Sequence, residues 1–181
     1  MISELETKRL LLSPLRLSDA PAAQRLFPHW EIVQYLANRV PWPYPEDGAL
    51  TYYRDIALPA MARGEEWHWG IRLKGGPDHI IGAINLTRTQ PDHRGFWLAL
   101  PWQGQGLMTE ATAAVNDYWF DVLGFPVLRT SKAVVNQPSR RISQKNGMRL
   151  LGTEERAYVS GKLMAEMWEI TAEEWRALRK K

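Results

Sequence analysis

Cysteine is absent from the 181 residues, which excludes disulfides, thiolate-bound zinc and a thiol nucleophile, and leaves any redox compartment open. No run reaches the roughly 18 apolar residues that a membrane helix requires. The opening MISELETKRLLL also lacks the basic end and apolar core of a signal peptide, so a cytoplasmic location is expected, with the sequon at Asn85 incidental. Internal repeats, linkers and low-complexity tracts are missing too, and residues 1–181 read as a single domain, since two halves of such a length would each be marginal. Acidic residues vanish between Val122 and Thr153, where Arg129, Lys132, Arg140, Arg141, Lys145 and Arg149 all fall. With a net charge of only +3, the positive charge is unevenly placed, and that segment is expected to attract an anion.

What is present is the composition of a folded soluble chain, with 45% hydrophobic and 24% charged residues. KRLLLSPLR reads as an opening strand ended by Pro14, followed by a helix from about Ala20 to Phe27. After the rigid PWPYP loop, Asp47 caps a longer helix reaching toward Arg63, which Pro59 should kink or shorten. Three strands follow, Trp67 to Leu73, His79 to Leu86 and Arg94 to Leu100, the first two joined as a hairpin by KGGPD. Apolar residues spaced by three and four predict a helix from about Thr109 to Leu123, stopped by Gly124 and Pro126. VLRTSKAV is a strand. NQPSRRISQKNG is a helix with Pro138 at its first position and Gly147 past its end. Two last strands precede the terminal helix AEEWRALRKK.

Between the third strand and the following helix stands LPWQGQGLMTEA, with glycines at 104 and 106. Glycine lets backbone turn sharply or a ligand approach closely, at an entropic cost. A helix beginning near Gly106 offers unpaired N–H groups and a partial positive charge, which suit a phosphate or pyrophosphate. Two nucleotide motifs are disfavoured. A phosphate loop needs lysine and a hydroxyl after its second glycine, where Leu107 stands. A dinucleotide fingerprint needs glycine at position 109, where Thr109 stands, and an acid about twenty residues on, where there is none.

The pattern that remains is [Q/R]-x-x-G-x-[G/A], over Gln103, Gly104, Gln105, Gly106, Leu107 and Met108. Here the chain resembles the GNAT superfamily of acetyl-coenzyme A-dependent N-acetyltransferases, particularly the branch of ribosomal-protein N-terminal acetyltransferases. GFWLALPWQGQGLMTEA matches that branch's GYWLxPxxWGxGxxTEA at Gly95, Trp97, Leu98, Gly104, Gly106, Thr109, Glu110 and Ala111. The downstream N-x-x-S-x-x-x-x-x-K-x-G-F is met by Asn136, Ser139, Lys145 and Gly147, with Met148 for the aromatic. ETKRLLLSPLR resembles the branch's opening strand and EITAEEW its ending. Three departures stand out. Met108 replaces a small residue, Ala99 a frequent aspartate, and Ser143 the tyrosine acid of other branches.

The resemblance implies an α/β (α+β) fold: a mixed, mostly antiparallel sheet of about seven strands flanked by helices, its fourth and fifth strands splayed. Acetyl-coenzyme A would lie in that gap, with pantetheine beside Leu98 and Leu100. The pyrophosphate would meet the N–H groups from about Gln105 to Thr109, through Gly106, Leu107 and Met108, and Gln103, Gly104, Asn136, Arg141 and Lys145 would also bind the coenzyme. No metal is implied. Ser139 would donate a hydrogen bond to the departing thiolate, with Ser143 one turn later as a substitute. Acceptor recognition is expected from Trp30, Trp42, Tyr44 and Trp97.

The attacking amine must be neutral. An α-amino group has a pKa of about 7.7–8.0 against about 10.4 for lysine, a gap worth roughly 3.4 kcal/mol. No carboxylate sits on the central strand, so an acceptor of low pKa is favoured, such as the N-terminus of a ribosomal protein. His93 is the best-placed base, with Asp92, Glu166 and Glu169 behind it. A small-molecule amine acceptor and a degenerate coenzyme-binding protein are the alternatives. The basic segment lacks the aromatic interleaving of a nucleic-acid module, and both monomer and homodimer remain open.

Overall fold

The computed structural model describes residues 2–180. Five strands form one antiparallel sheet in the order β1-β2-β3-β4-β5: Leu5–Glu6, Leu10–Pro14, Glu66–Leu73, Gly82–Thr87 and Arg94–Leu98. Three more form a second antiparallel sheet, with β6 (Val127–Ala133) and β7 (Arg149–Tyr158) on either side of β8 (Gly161–Thr171). The two-residue β1 is the addition to the seven expected strands.

Side chains alternate across each strand, and the two faces of the first sheet are covered differently. Leu10, Leu12, Trp69, Ile71, Ile84 and Leu86 point to one face, where helix α5 (Leu107–Asp117) packs Leu107, Ala111 and Val115 against them. The other face meets α1 (Ala20–Leu26) and a long helix built of α3 (Gly48–Tyr52), a π-turn (Tyr53–Ala57) and α4 (Leu58–Ala62). The short α2 (Trp30–Val33) lies between them in sequence. Helix α6 (Gln137–Lys145) connects β6 to β7, and α7 (Ala172–Arg179) follows β8.

Pro59 does not shorten the long helix, which runs on to Ala62. It lacks the N–H that would bond the carbonyl of Asp55, and the wider π register over Tyr53–Ala57 accommodates the loss. A second π-turn, Tyr118–Val122, closes α5 through Leu123 N–H to the carbonyl of Tyr118 at 2.9 Å. It buries Tyr118, Trp119 and Phe120 in succession. Other expected bounds shift slightly. The strand foreseen from His79 begins at Gly82, and the one foreseen to Leu100 ends at Leu98, because Leu100–Trp102 turns as a 3-10 helix. Pro138 takes the second helical position, since Asn136 is the N-cap.

The site is made by the strands that fail to pair. β5 and β6, fourth and fifth of the long strands, touch where His93 N–H donates to the Arg129 carbonyl at 2.8 Å and Arg129 N–H donates to His93 Nδ1 at 3.0 Å. Beyond that point no ladder joins them among the described residues. The gap between the sheets opens there.

Candidate active site

At one end of the gap is the glycine turn. Gly104 and Gly106 have φ of 73° and 77°, left-handed values that favour glycine, and nothing lies within 4 Å of a Cβ built on Gly104. Gly106 is the N-cap of α5, and the first helical bond runs from Glu110 N–H to the Gly106 carbonyl at 3.1 Å. The N–H groups of Gly106, Leu107, Met108 and Thr109 therefore have no backbone acceptor among the described residues. Behind the turn, Glu110 accepts from Thr7 Oγ1 at 2.5 Å, Arg9 N–H at 2.7 Å and Arg9 Nε at 2.7 Å. Arg9 in turn donates to the Gln105 carbonyl at 2.9 Å. Those hydrogen bonds hold the Glu110 carboxyl below its usual range against the opposing effect of its burial. Arg9 falls in the opening ETKRLLLSPLR stretch, but its role at the turn, about a hundred residues on, was invisible without the fold.

Met108 does not obstruct this turn. Its side chain is 6% exposed and packs in the core beside Leu107 and Ala111, so its backbone N–H keeps the position that a smaller residue would give it. Gln103 donates from Nε2 to the Leu98 carbonyl at 2.7 Å, tying the turn to the end of β5.

A cleft of about 1530 Å³ runs from this turn through the gap to the opposite face of the first sheet. Gly104, Gly106, Leu107, Met108, Thr109, Leu98, Gln103, Asn136, Ser139, Arg141 and Lys145 all line it. Leu100 and Gln105 do not, although both belong to the same turn. Asn136 caps α6 by accepting from Ser139 N–H at 3.4 Å, and the Ser139 hydroxyl has no protein partner among the described residues. Ser143 is fully buried, and its hydroxyl has no partner among the described residues. One turn along α6 carries it away from the cleft rather than into it.

The acid-free segment resolves into distinct fates. Arg129 and Arg149 bond Glu169, Arg149 also bonds Glu174, and Arg140 bonds Glu166 with 2.7 and 2.6 Å contacts. Arg141 and Lys145 are exposed on the cleft and have no ion-pair partner among the described residues. Lys132 is buried, with Nζ 4.5 Å above the Phe96 ring. Burial first, and then the nearby Arg94 charge, push its ammonium down to about 7. Arg94 is buried without a carboxylate, donating to Asn116 at 2.5 Å and Asn146 at 2.9 Å. Burial pushes it down to about 9, still charged at neutral pH.

On the far face, Phe27 meets Tyr44 at 5.1 Å and Trp97 at 5.4 Å, edge to face, and all three line the cleft. Trp30 and Trp42 do not join them. They tilt against each other at 5.7 Å, 43% and 41% exposed, outside the cleft lining.

The proposed base His93 is also elsewhere. Its ring stacks on Trp119 at 5.0 Å and its Nδ1 is occupied by Arg129 N–H, away from the cleft. Burial, and then the charge of Arg129, lower its pKa. Asp92 lines the cleft but is held by Arg156 at 2.7 Å and Ser131 at 2.6 Å, while Glu166 and Glu169 are held by the arginines above. The titratable pair that sequence reasoning missed is Glu66 and His68 on β3. Both line the cleft, with His68 Nε2 2.5 Å from Glu66 Oε2. Their i, i+2 spacing on a strand was the available signal.

The turn and gap fit the coenzyme implied by the motif. They combine four free N–H groups, a Gly104 flank with open space, two unpaired cations and a continuous cleft. The chain belongs to the acetyltransferase (GNAT) domain family, whose model matches residues 9–149. Among solved structures it is similar to RimL, a ribosomal L7/L12 alpha-N-protein acetyltransferase in complex with coenzyme A (TM-score 0.79, 19% identity, 93% of this chain and 98% of that one). It is similar also to the ribosomal-protein-S5-alanine acetyltransferase of Vibrio fischeri (TM-score 0.80, 15% identity, 96% and 98%). A curated relative, the probable N-acetyltransferase YjcK of Bacillus subtilis, is 30% identical over 92 residues, 48% of this chain and 50% of that protein. The match thus spans half the length of that relative.

Proposed function

We propose that the chain transfers an acetyl group from acetyl-coenzyme A to a primary amine, with the N-terminal amine of a protein such as a ribosomal protein as acceptor. The observation that carries this reading is the cleft itself. It begins at the free N–H groups of Gly106 to Thr109, passes the unpaired strands β5 and β6, and emerges among Phe27, Tyr44 and Trp97.

Leu107, Met108 and Thr109 would hold the pyrophosphate through backbone, with Arg141 and Lys145 adding positive charge. Bound there, the coenzyme supplies an activated acetyl thioester. Ser139 offers a free hydroxyl to the sulfur as negative charge develops on it. Phe27, Tyr44 and Trp97 exclude water and present aromatic surface to the residue bearing the amine. The names of the two structural neighbours above support an α-amino acceptor. The reading also agrees with the lower cost of deprotonating an α-amino group than a lysine.

The test is thiol release from acetyl-coenzyme A with peptides starting in Ala, Ser or Met, compared with the same peptides blocked at the N-terminus but containing lysine. Release with free N-termini alone supports the proposal. Release with blocked peptides or only with small amines replaces the acceptor, and no release with any amine overturns the transfer reaction.

A further inference from the structure

The far face of the sheet holds a row of polar groups that neither the family motif nor the glycine turn uses. β3 pairs His68 with Asn85 of β4, and β4 pairs Asn85 with Gly95 of β5, the strand that borders the gap. All three, with Glu66, line the cleft. Trp69, Ile84 and Leu86 on the same strands point the other way, into the core under α5. The row thus faces the side from which an acceptor enters. Gly95 keeps it continuous. A Cβ there would stand 2.7 Å from Asn85 Oδ1, so the missing side chain is what lets the Asn85 amide lie over β5.

Glu66 Oε2 lies 2.5 Å from His68 Nε2. A carboxylate in that place holds the Nε2–H tautomer and leaves Nδ1 as the lone-pair nitrogen. No described group hydrogen-bonds Nδ1, and the ring, though buried, borders the cleft. Tyr52 packs edge-on to the imidazole at 6.4 Å and covers it from the helix side. The charged groups lining the cleft with this dyad include Glu31 of α2, Arg39 and Asp47 from the loops, Arg94 and Lys132 by the gap, and Arg156 and Asp92, the last two paired with each other. Adjacent strands lie about 4.8 Å apart, so β3 and β5 are separated by about 10 Å, a span that the imidazole and one or two waters on Asn85 cover.

We infer that His68, oriented by Glu66, accepts the proton of the acceptor amine through a relay over Asn85 and Gly95. The inference rests on the acetyl-transfer reading above. As the nitrogen–carbon bond forms, the carbon–sulfur bond breaks and its electron pair leaves with sulfur as thiolate. The proton lost by nitrogen becomes the second ring proton of His68, and the Glu66 carboxylate balances the imidazolium charge. The proton then returns to thiolate or solvent, so the protein ends as it began.

The experiment follows thiol release against pH for the chain and for His68→Gln and Glu66→Gln, with the free-N-terminus peptides as acceptors. Calorimetry with coenzyme A runs alongside, and histidine ring NMR of the unliganded protein reports the protonation of His68 directly. For His68→Gln, kcat should fall by about 10²–10⁴ at pH 7, the usual size of general-base effects. Coenzyme affinity should not change, and the rate should recover above pH 9, where the amine is neutral unaided. Glu66→Gln keeps the imidazole and serves also if the first variant fails to fold. It should lower kcat at pH 7 with coenzyme affinity unchanged, because the imidazole is no longer held in one tautomer. Thiol release by His68→Gln at the wild-type rate, with the wild-type pH profile, overturns this inference alone. Failure of the unaltered chain to release thiol with any amine, despite binding coenzyme A, overturns the transfer reading and this inference together.

Discussion

At the scale of single residues, the cost of burying charge separates groups kept for the site from groups kept for the fold. Lys132 is 9% exposed, opens onto the cleft beside Phe96, and has no carboxylate partner among the described residues. Its folded value of about 7 lies below the roughly 10.4 of an unfolded lysine. Between those values the unfolded chain holds the extra proton, so stability rises with pH across that window, and the penalty is fully present below pH 7. Lys132→Met keeps the length and the contact with the Phe96 ring without the charge. Its melting temperature should exceed that of the parent at pH 6–7, with a gain that shrinks toward pH 10. A variant no more stable at pH 6, with the parent's pH slope, would show that Lys132 is not penalised. Residue type alone could not reveal this, because a lysine in a strand of alternating pattern reads as exposed. His93 misled for the complementary reason. It sits next to the right strand, yet Trp119 and Arg129 claim both its ring face and its Nδ1.

At the scale of elements, the strand-to-helix turn was legible because its signals are local. Two glycines at left-handed φ, a helix start and the spacing to Thr109 all lie within a few residues. Gly106→Val tests the element directly. A β-branched residue is strongly disfavoured in the left-handed region, at a cost of about 1–2 kcal/mol, and relief of that strain would rotate the N–H groups that start α5. Coenzyme A affinity measured by calorimetry should fall at least tenfold, while the helical circular dichroism signal persists. Undiminished affinity would remove the pyrophosphate from this turn. The π-turns were not legible, because they answer to non-local demands. Tyr53–Ala57 absorbs a proline inside a helix, and Tyr118–Val122 sets three consecutive aromatics against two sheets. The Glu66–His68 pair offered only its i, i+2 spacing as a local signal, and its place in the cross-strand row to Gly95 is set by strand pairing that the sequence did not show.

At the scale of the whole molecule, the excess of positive charge between Val122 and Thr153 is mostly consumed by the fold. The carboxylates of Glu166 and Glu169 on β8 and of Glu174 on α7 bind Arg129, Arg140 and Arg149, joining the second sheet to the helices around it. Apart from the buried Lys132, Arg141 and Lys145 remain, both on α6 and both facing the cleft, so the exposed anion-attracting charge seen in the sequence reduces to this pair. Neutralising both, as Arg141→Ala with Lys145→Ala, should leave the melting temperature of the ligand-free protein nearly unchanged, because neither residue has a partner to lose. Binding at 100 times the dissociation constant stabilises by about 2.7 kcal/mol, or roughly 5–11 °C for a chain of this size. At the same coenzyme A concentration the double variant should lose much of that shift, and the dependence of binding on salt should weaken with it. Arg140→Ala provides the contrast. It strands the nearly buried Glu166 carboxylate, so it should lower the ligand-free melting temperature while keeping the coenzyme-induced shift. An equal loss of shift in both variants would show that the segment attracts the coenzyme as a diffuse basic face rather than through the two unpaired cations of α6.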